Sequence, residues 1–135
     1  MPGSTGLINK KRSELATWEK ALAVTSNIYI DQGSEYTSII TVSGPDSAPL
    51  NLTDFTVQSQ MRKSYGSSTA YSFTATIHNA LAGQIKLYLT TADSEIIPAG
   101  RWLYDVEIAG ADGYRKRVVE GVATITPQIT RTTGS

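Results

Sequence analysis

The sequence predicts an all-β protein, a two-sheet antiparallel β-sandwich preceded by an extended N-terminal arm that carries a short helix. Three observations lead there. From residue 27 onward threonine, valine, isoleucine, tyrosine and glycine dominate. Apolar and polar residues alternate in short runs, most cleanly where Tyr71, Phe73, Ala75 and Ile77 interleave with Ser72, Thr74, Thr76 and His78. Turn signals separate the runs at roughly 8–12-residue spacing, the rhythm of a sandwich. A closed barrel is the alternative. Alternation within single strands favours sheets with one buried face and one wet face.

Three regions follow: an arm over 1–26, the β domain over 27–131 and a tail over 132–135. Within the arm, Lys10, Lys11 and Arg12 form a basic cluster, read as a solvated face or as a contact for a partner. Ser13 suits a helix N-cap, and Glu14 suits the positive end of the helix dipole. Leu15, Trp18 and Leu22 recur at helical spacing and share one face. So short a helix is marginal in water unless that face is docked. It packs either on its own domain or on a neighbouring subunit, with Trp18 as anchor. The expected partner-binding residues are therefore Leu15, Trp18, Leu22, Lys10, Lys11 and Arg12.

The strands are expected in order. Residues 27–31 form a short one, closed by a turn at Gln32-Gly33, and residues 35–42 form the second. Gly44-Pro45-Asp46-Ser47 is a turn. A corner over 50–54 leads into a strand over 55–62, with Val57, Ser59 and Met61 on one face and Gln58, Gln60 and Arg62 on the other. Residues 64–69 are a polar loop. The run containing Tyr71 and Ile77 follows, then a turn over 79–83 and a strand whose inward side is Ile85, Leu87 and Leu89. Residues 91–96 read as one helical turn ended by Pro98-Ala99-Gly100. The last hairpin pairs 101–109, with Trp102, Tyr104, Val106 and Ile108 inward, with 114–125. Asp105 and Glu107 lie opposite Arg115, Lys116 and Arg117, an arrangement for cross-strand charge pairs.

Composition excludes several functional classes. Twelve basic and twelve acidic residues cancel. Nucleic-acid binding draws its affinity from a basic excess, and a membrane surface wants a cationic face, so neither partner is expected. The absence of cysteine removes disulfides, thiolate metal sites and cysteine nucleophiles. No apolar run approaches the roughly 18 residues needed to span a bilayer. The first eleven residues lack the apolar core of a secretory signal, so synthesis inside the cell is the expectation.

Chemistry is equally sparse. His78 is the single histidine and falls on a polar strand face, with no nucleophile elbow to accompany it. The pairs Asp105/Glu107 and Asp93/Glu95 have short loops and basic neighbours around them, as surface charge does, instead of the facing carboxylates of a glycosidase. No calcium loop, phosphate loop or dinucleotide fingerprint is present. The chain is expected to be no enzyme and to take no cofactor and no metal. Seven tyrosines and two tryptophans raise the thought of a sugar platform, but Tyr71 and Tyr104 fall on core faces.

The order of short blocks carries a resemblance. Asn27-Ile28-Tyr29-Ile30-Asp31-Gln32-Gly33-Ser34-Glu35-Tyr36 opens it, and Leu52-Thr53-Asp54-Phe55-Thr56-Val57-Gln58-Ser59-Gln60-Met61-Arg62 follows. Then come Gly83-Gln84-Ile85-Lys86-Leu87, Thr91-Ala92-Asp93 and Pro98-Ala99-Gly100-Arg101-Trp102-Leu103-Tyr104-Asp105-Val106-Glu107. Val119-Glu120-Gly121-Val122-Ala123-Thr124-Ile125-Thr126-Pro127-Gln128-Ile129-Thr130-Arg131 closes it. Over 27–131 the chain resembles small tailed-phage virion structural proteins and is similar to the N-terminal domain of baseplate upper proteins. The resemblance implies an Ig-like β-sandwich and a tail, baseplate or neck component. It implies a place in the virion after synthesis in the host cytoplasm, with other virion subunits as partners and many copies or a homo-oligomer in the assembly. It brings no catalytic residue. A capsid decoration or cement protein and a carbohydrate-binding adhesin module are the rival readings.

Overall fold

The computed structural model describes residues 23–44 and 46–130. These form nine strands and one short helix: β1 (Val24–Thr25), β2 (Ile28–Asp31), β3 (Tyr36–Thr41), β4 (Thr56–Arg62), β5 (Ala70–Ser72), β6 (Thr74–Asn79), β7 (Gln84–Leu89), α1 (Thr91–Glu95), β8 (Gly100–Ala109) and β9 (Arg115–Thr126). One sheet runs β1-β9-β8-β4-β5, with β2 also on β9; the other runs β3-β7-β6. The expected all-β sandwich is what forms. Its strand order is immunoglobulin-like: β3, β7 and β6 take the places of strands B, E and D in one sheet, and β4, β8 and β9 those of C, F and G in the other.

Pairing is antiparallel except at one edge. β1 and β2 both run parallel to β9, with Val24 opposite Val119 and Ile28 opposite Ala123. The sheet thus takes in Val24 and Thr25, two residues ahead of the expected domain start at 27. The helix expected within 13–23 lies outside the described residues except for Ala23, which belongs to no regular element.

The run from Tyr71 to His78 is not one strand. β5 pairs with β4 in the larger sheet, whereas β6 pairs with β7 in the smaller. The chain changes sheets at Phe73, whose N–H is held by the Ser59 carbonyl at 3.0 Å. The buried Phe73 ring packs between Tyr36 and Tyr104, with centroids 6.1 and 6.0 Å away. Inward and outward residues keep alternating through the crossing, so the pattern carries no mark of the break. Strands that bend from one layer to the other are a known way to turn a sandwich corner.

The core forms where the expected faces meet. Ile85, Leu87 and Leu89 of β7 are buried, as are Trp102, Tyr104, Val106 and Ile108 of β8 and Val118, Val119, Ala123 and Ile125 of β9. Polar atoms that enter this core are satisfied. Trp102 Nε1 donates to the Pro98 carbonyl at 2.9 Å, and Ser59 Oγ donates to the Asp105 carbonyl at 2.6 Å. Beyond β7, Thr90 and Asp93 cap α1 reciprocally, each side chain accepting from the other's N–H at 3.0 Å. This orients the buried Ser94, whose Oγ donates to the Ser34 carbonyl at 2.7 Å and accepts from the Gly33 N–H at 3.0 Å. The β2–β3 turn is thereby pinned to the helix. Gly33 makes that turn with φ of 83°, a conformation that favours glycine.

Candidate functional site

Six residues carried the expectation of partner binding: Leu15, Trp18, Leu22, Lys10, Lys11 and Arg12. All lie outside the described residues. Within the described residues, a groove of about 420 Å³ lies on the outer side of the larger sheet, where β4, β8 and β9 meet the β1–β2 junction.

Its floor depends on a close backbone approach. β1 and β2 keep a single register against β9, interrupted at Ser26 and Asn27. There the Ser26 N–H donates to the Glu120 carbonyl at 2.8 Å. The Val122 N–H is met by Asn27 Oδ1 at 3.0 Å, a side chain standing in for the main-chain acceptor. The Ser26 carbonyl leans over Gly121, where an added Cβ would overlap it. Tyr104 Oη completes the junction by donating to that carbonyl at 2.6 Å. A glycine inside a strand marks a bulge or a close backbone approach, and at Gly121 it is a close approach: the Ser26 carbonyl fills the space.

A bulge does lie nearby. In the β8–β9 hairpin the register shifts between Val106 and Glu107, so that Val106 faces Val119 while Glu107 faces Arg117. Val118 is the additional residue, and it and Val119 are both buried. Two consecutive inward residues bring Arg117 and Glu120 out onto the same surface. Asp105 sits directly opposite Glu120, a like-charge pairing that is unfavourable by itself. Arg117 relieves it, bonding Asp105 at 3.3 Å and Glu120 at 3.1 Å. Arg115 and Glu107 pair beside them at 3.2 Å. The charge pairing expected from sequence therefore forms for Arg115 and Arg117.

The titration of this cluster follows from its crowding. Burial pushes the Asp105 carboxyl above its ordinary range; Arg117 opposes this, and the neighbouring Glu107 and Glu120 add to it. Its hydrogen bond to Glu120 holds the Arg117 guanidinium still more firmly in its charged form. Both are partly exposed, so solvent screens the pair and its net contribution to stability is small.

The far wall was not foreseen. Arg62 reaches over the polar loop, donating to the Ser67 carbonyl at 2.7 Å and to Gln60 Oε1 at 3.1 Å. The loop so held presents Tyr65, whose residue surface is 79% exposed, at the groove rim. A tyrosine inside a Ser/Gly-rich loop was the available signal. The other candidates do not gather here. His78 is exposed on β6 of the opposite sheet. Tyr71 stacks edge-on against Trp102 at 5.3 Å, and Tyr104 is buried. Among the described residues, no group of three or more histidine, aspartate or glutamate side chains is placed to hold a metal ion, and no helix is long and apolar enough to cross a membrane. The groove offers paired charges, amides and one exposed ring.

The chain is thus an immunoglobulin-like sandwich bearing a polar outer groove. No family model matches it, and no curated protein does. Among solved structures it is similar to an internalin-like protein of Listeria monocytogenes, at 17% identity and a TM-score of 0.42, covering 78% of this chain and 28% of that one. It is also similar to a structure of VGSC beta subunits, studied for their multimeric cell-adhesive interactions, at 14% identity and a TM-score of 0.35, covering 79% of this chain and 98% of that one.

Proposed function

We propose that this chain is a non-enzymatic structural component of a tailed-phage virion, in the tail, baseplate or neck, that assembles through protein–protein contacts. The observation that carries the reading is the ordered series of sequence blocks over 27–131. Those blocks fall on β2, β4, β7, α1, β8 and β9, the elements that build the sandwich. A resemblance lodged in framework elements fits a protein whose task is to hold a shape and meet neighbours. The paired charges of the outer groove and the open sheet edges supply surfaces for such meetings.

In this reading the arm grips an adjacent subunit with Leu15, Trp18 and Leu22, aided by Lys10, Lys11 and Arg12. The test replaces Leu15, Trp18 and Leu22 together by alanine in the full chain and follows incorporation into particles. The triple variant is expected to fold with an unchanged β-sheet signal and to be lost from assembled particles. Normal incorporation would remove the arm from the account.

A further inference from the structure

β3 is an edge strand with unusual freedom. It pairs only with β7, in an unbroken six-residue register, and among the described residues no strand covers its other side. Edge strands are ordinarily blunted by charge, proline, bulges or shortness. The remaining edges show such devices: β5 has three residues, β6 carries a register shift at Ile77/Asn79, and β2 ends in Asp31. β3 reads Tyr-Thr-Ser-Ile-Ile-Thr, with no charge, glycine or proline.

Its hydrogen-bonding direction can be assigned. The Val42 N–H donates to the Gly83 carbonyl at 2.8 Å. In an antiparallel ladder bonded and non-bonded pairs alternate. Tyr36, Ser38 and Ile40 therefore bond to β7, and Thr37, Ile39 and Thr41 turn their N–H and C=O groups to the open side. Among the described residues the loop after β3 leaves that side clear, because the Leu50 N–H meets the Val42 carbonyl on the β7 side at 2.9 Å. The side chains of Thr37, Ile39 and Thr41 are also the exposed ones, Ile39 at 43%.

These three positions are symmetric about Ile39. Laid antiparallel against a second β3 across a two-fold axis, Ile39 faces Ile39 of the second copy, and Thr37 faces Thr41. Every outward N–H then meets an outward carbonyl. The facing side chains are β-branched and uncharged, and Glu35 falls opposite Ser43. The edge is self-complementary, as an isologous contact requires. We infer that β3 is a homodimerisation edge, joining the three-stranded sheets of two copies into one continuous sheet. The inference rests on the proposed assembly role only for its purpose.

The chain has no cysteine, which permits a clean test in the full-length protein. A bonded antiparallel pair holds its Cα atoms about 5.5 Å apart, inside the disulfide span of about 4.4–6.8 Å. Ile39→Cys is expected to give a crosslinked dimer under mild oxidation. Thr37→Cys is expected not to, because its own copy lies four residues along, about 13 Å away. Joining Thr37→Cys with Thr41→Cys restores crosslinking. Ile39→Lys puts like charges face to face and is expected to raise the dimer dissociation constant in ultracentrifugation by at least about tenfold. Equal crosslinking of Ile39→Cys and Thr37→Cys, or a monomer at all concentrations, overturns the inference. Specific crosslinking in a chain absent from purified particles supports the edge and overturns the virion role instead.

Discussion

Tyr104 donates a 2.6 Å hydrogen bond to the carbonyl of Ser26 across the space that Gly121 leaves open. This contact ties the middle of β8 to the first edge of the sheet, and it fixes the β1–β2 junction that borders the groove. Gly121→Ala forces the carbonyl away and is expected to cost about 2 kcal/mol, as overpacking does. Tyr104→Phe leaves the carbonyl without its donor and is expected to cost about 1–2 kcal/mol. Denaturant unfolding checks both, and faster amide exchange at Val122 locates the damage. Two unchanged midpoints would show that the junction does not anchor the edge.

Ser94 is buried and holds the β2–β3 turn through the Gly33 N–H and the Ser34 carbonyl. Ser94→Ala deprives both groups of their partner and is expected to destabilise the fold by about 1–3 kcal/mol. Thermal unfolding measures the loss. Ser94→Cys keeps the volume nearly constant but bonds weakly, so it should fall between the two.

The raised titration of Asp105 has a definite sign. A carboxyl whose folded pKa exceeds its unfolded pKa favours folding most below the unfolded value, and that contribution is lost as pH rises through the folded value. The unfolding free energy of the wild type minus that of Asp105→Asn should therefore decline from acid towards neutral pH. A difference that rises over this range would contradict the assignment. Arg117→Gln removes the strongest opposing charge and is expected to move the Asp105 carboxyl titration further up, read directly by NMR.

Much of this architecture was legible from residue 27 onward because local alternation and turn chemistry agree there. The β8–β9 hairpin is the clearest case: alternate apolar residues, a Gly-Ala-Asp-Gly loop and facing charges predict the pairing, and Arg115–Glu107 and Arg117–Asp105 form it. What escaped was non-local. Nothing in the spelling of Val24 and Thr25 announces a parallel pairing with Val119 and Glu120, some ninety residues on. The sheet change at Phe73 keeps the two-residue period and so leaves no trace in it. The Val118 bulge is equally silent, although it is what sets Arg117 between two carboxylates. The β1–β2 junction and the Val118 bulge shape the groove, so single wall residues such as Asp105 and Arg117 are legible in the sequence and their gathering is not.

If the chain is a structural part of a particle, it stays with that particle through purification. Quantitative mass spectrometry of gradient-purified virions should recover it at a fixed copy number relative to the other structural subunits, unchanged by repeated banding. Recovery only in the free protein fraction, with none left on banded particles, would contradict the structural role.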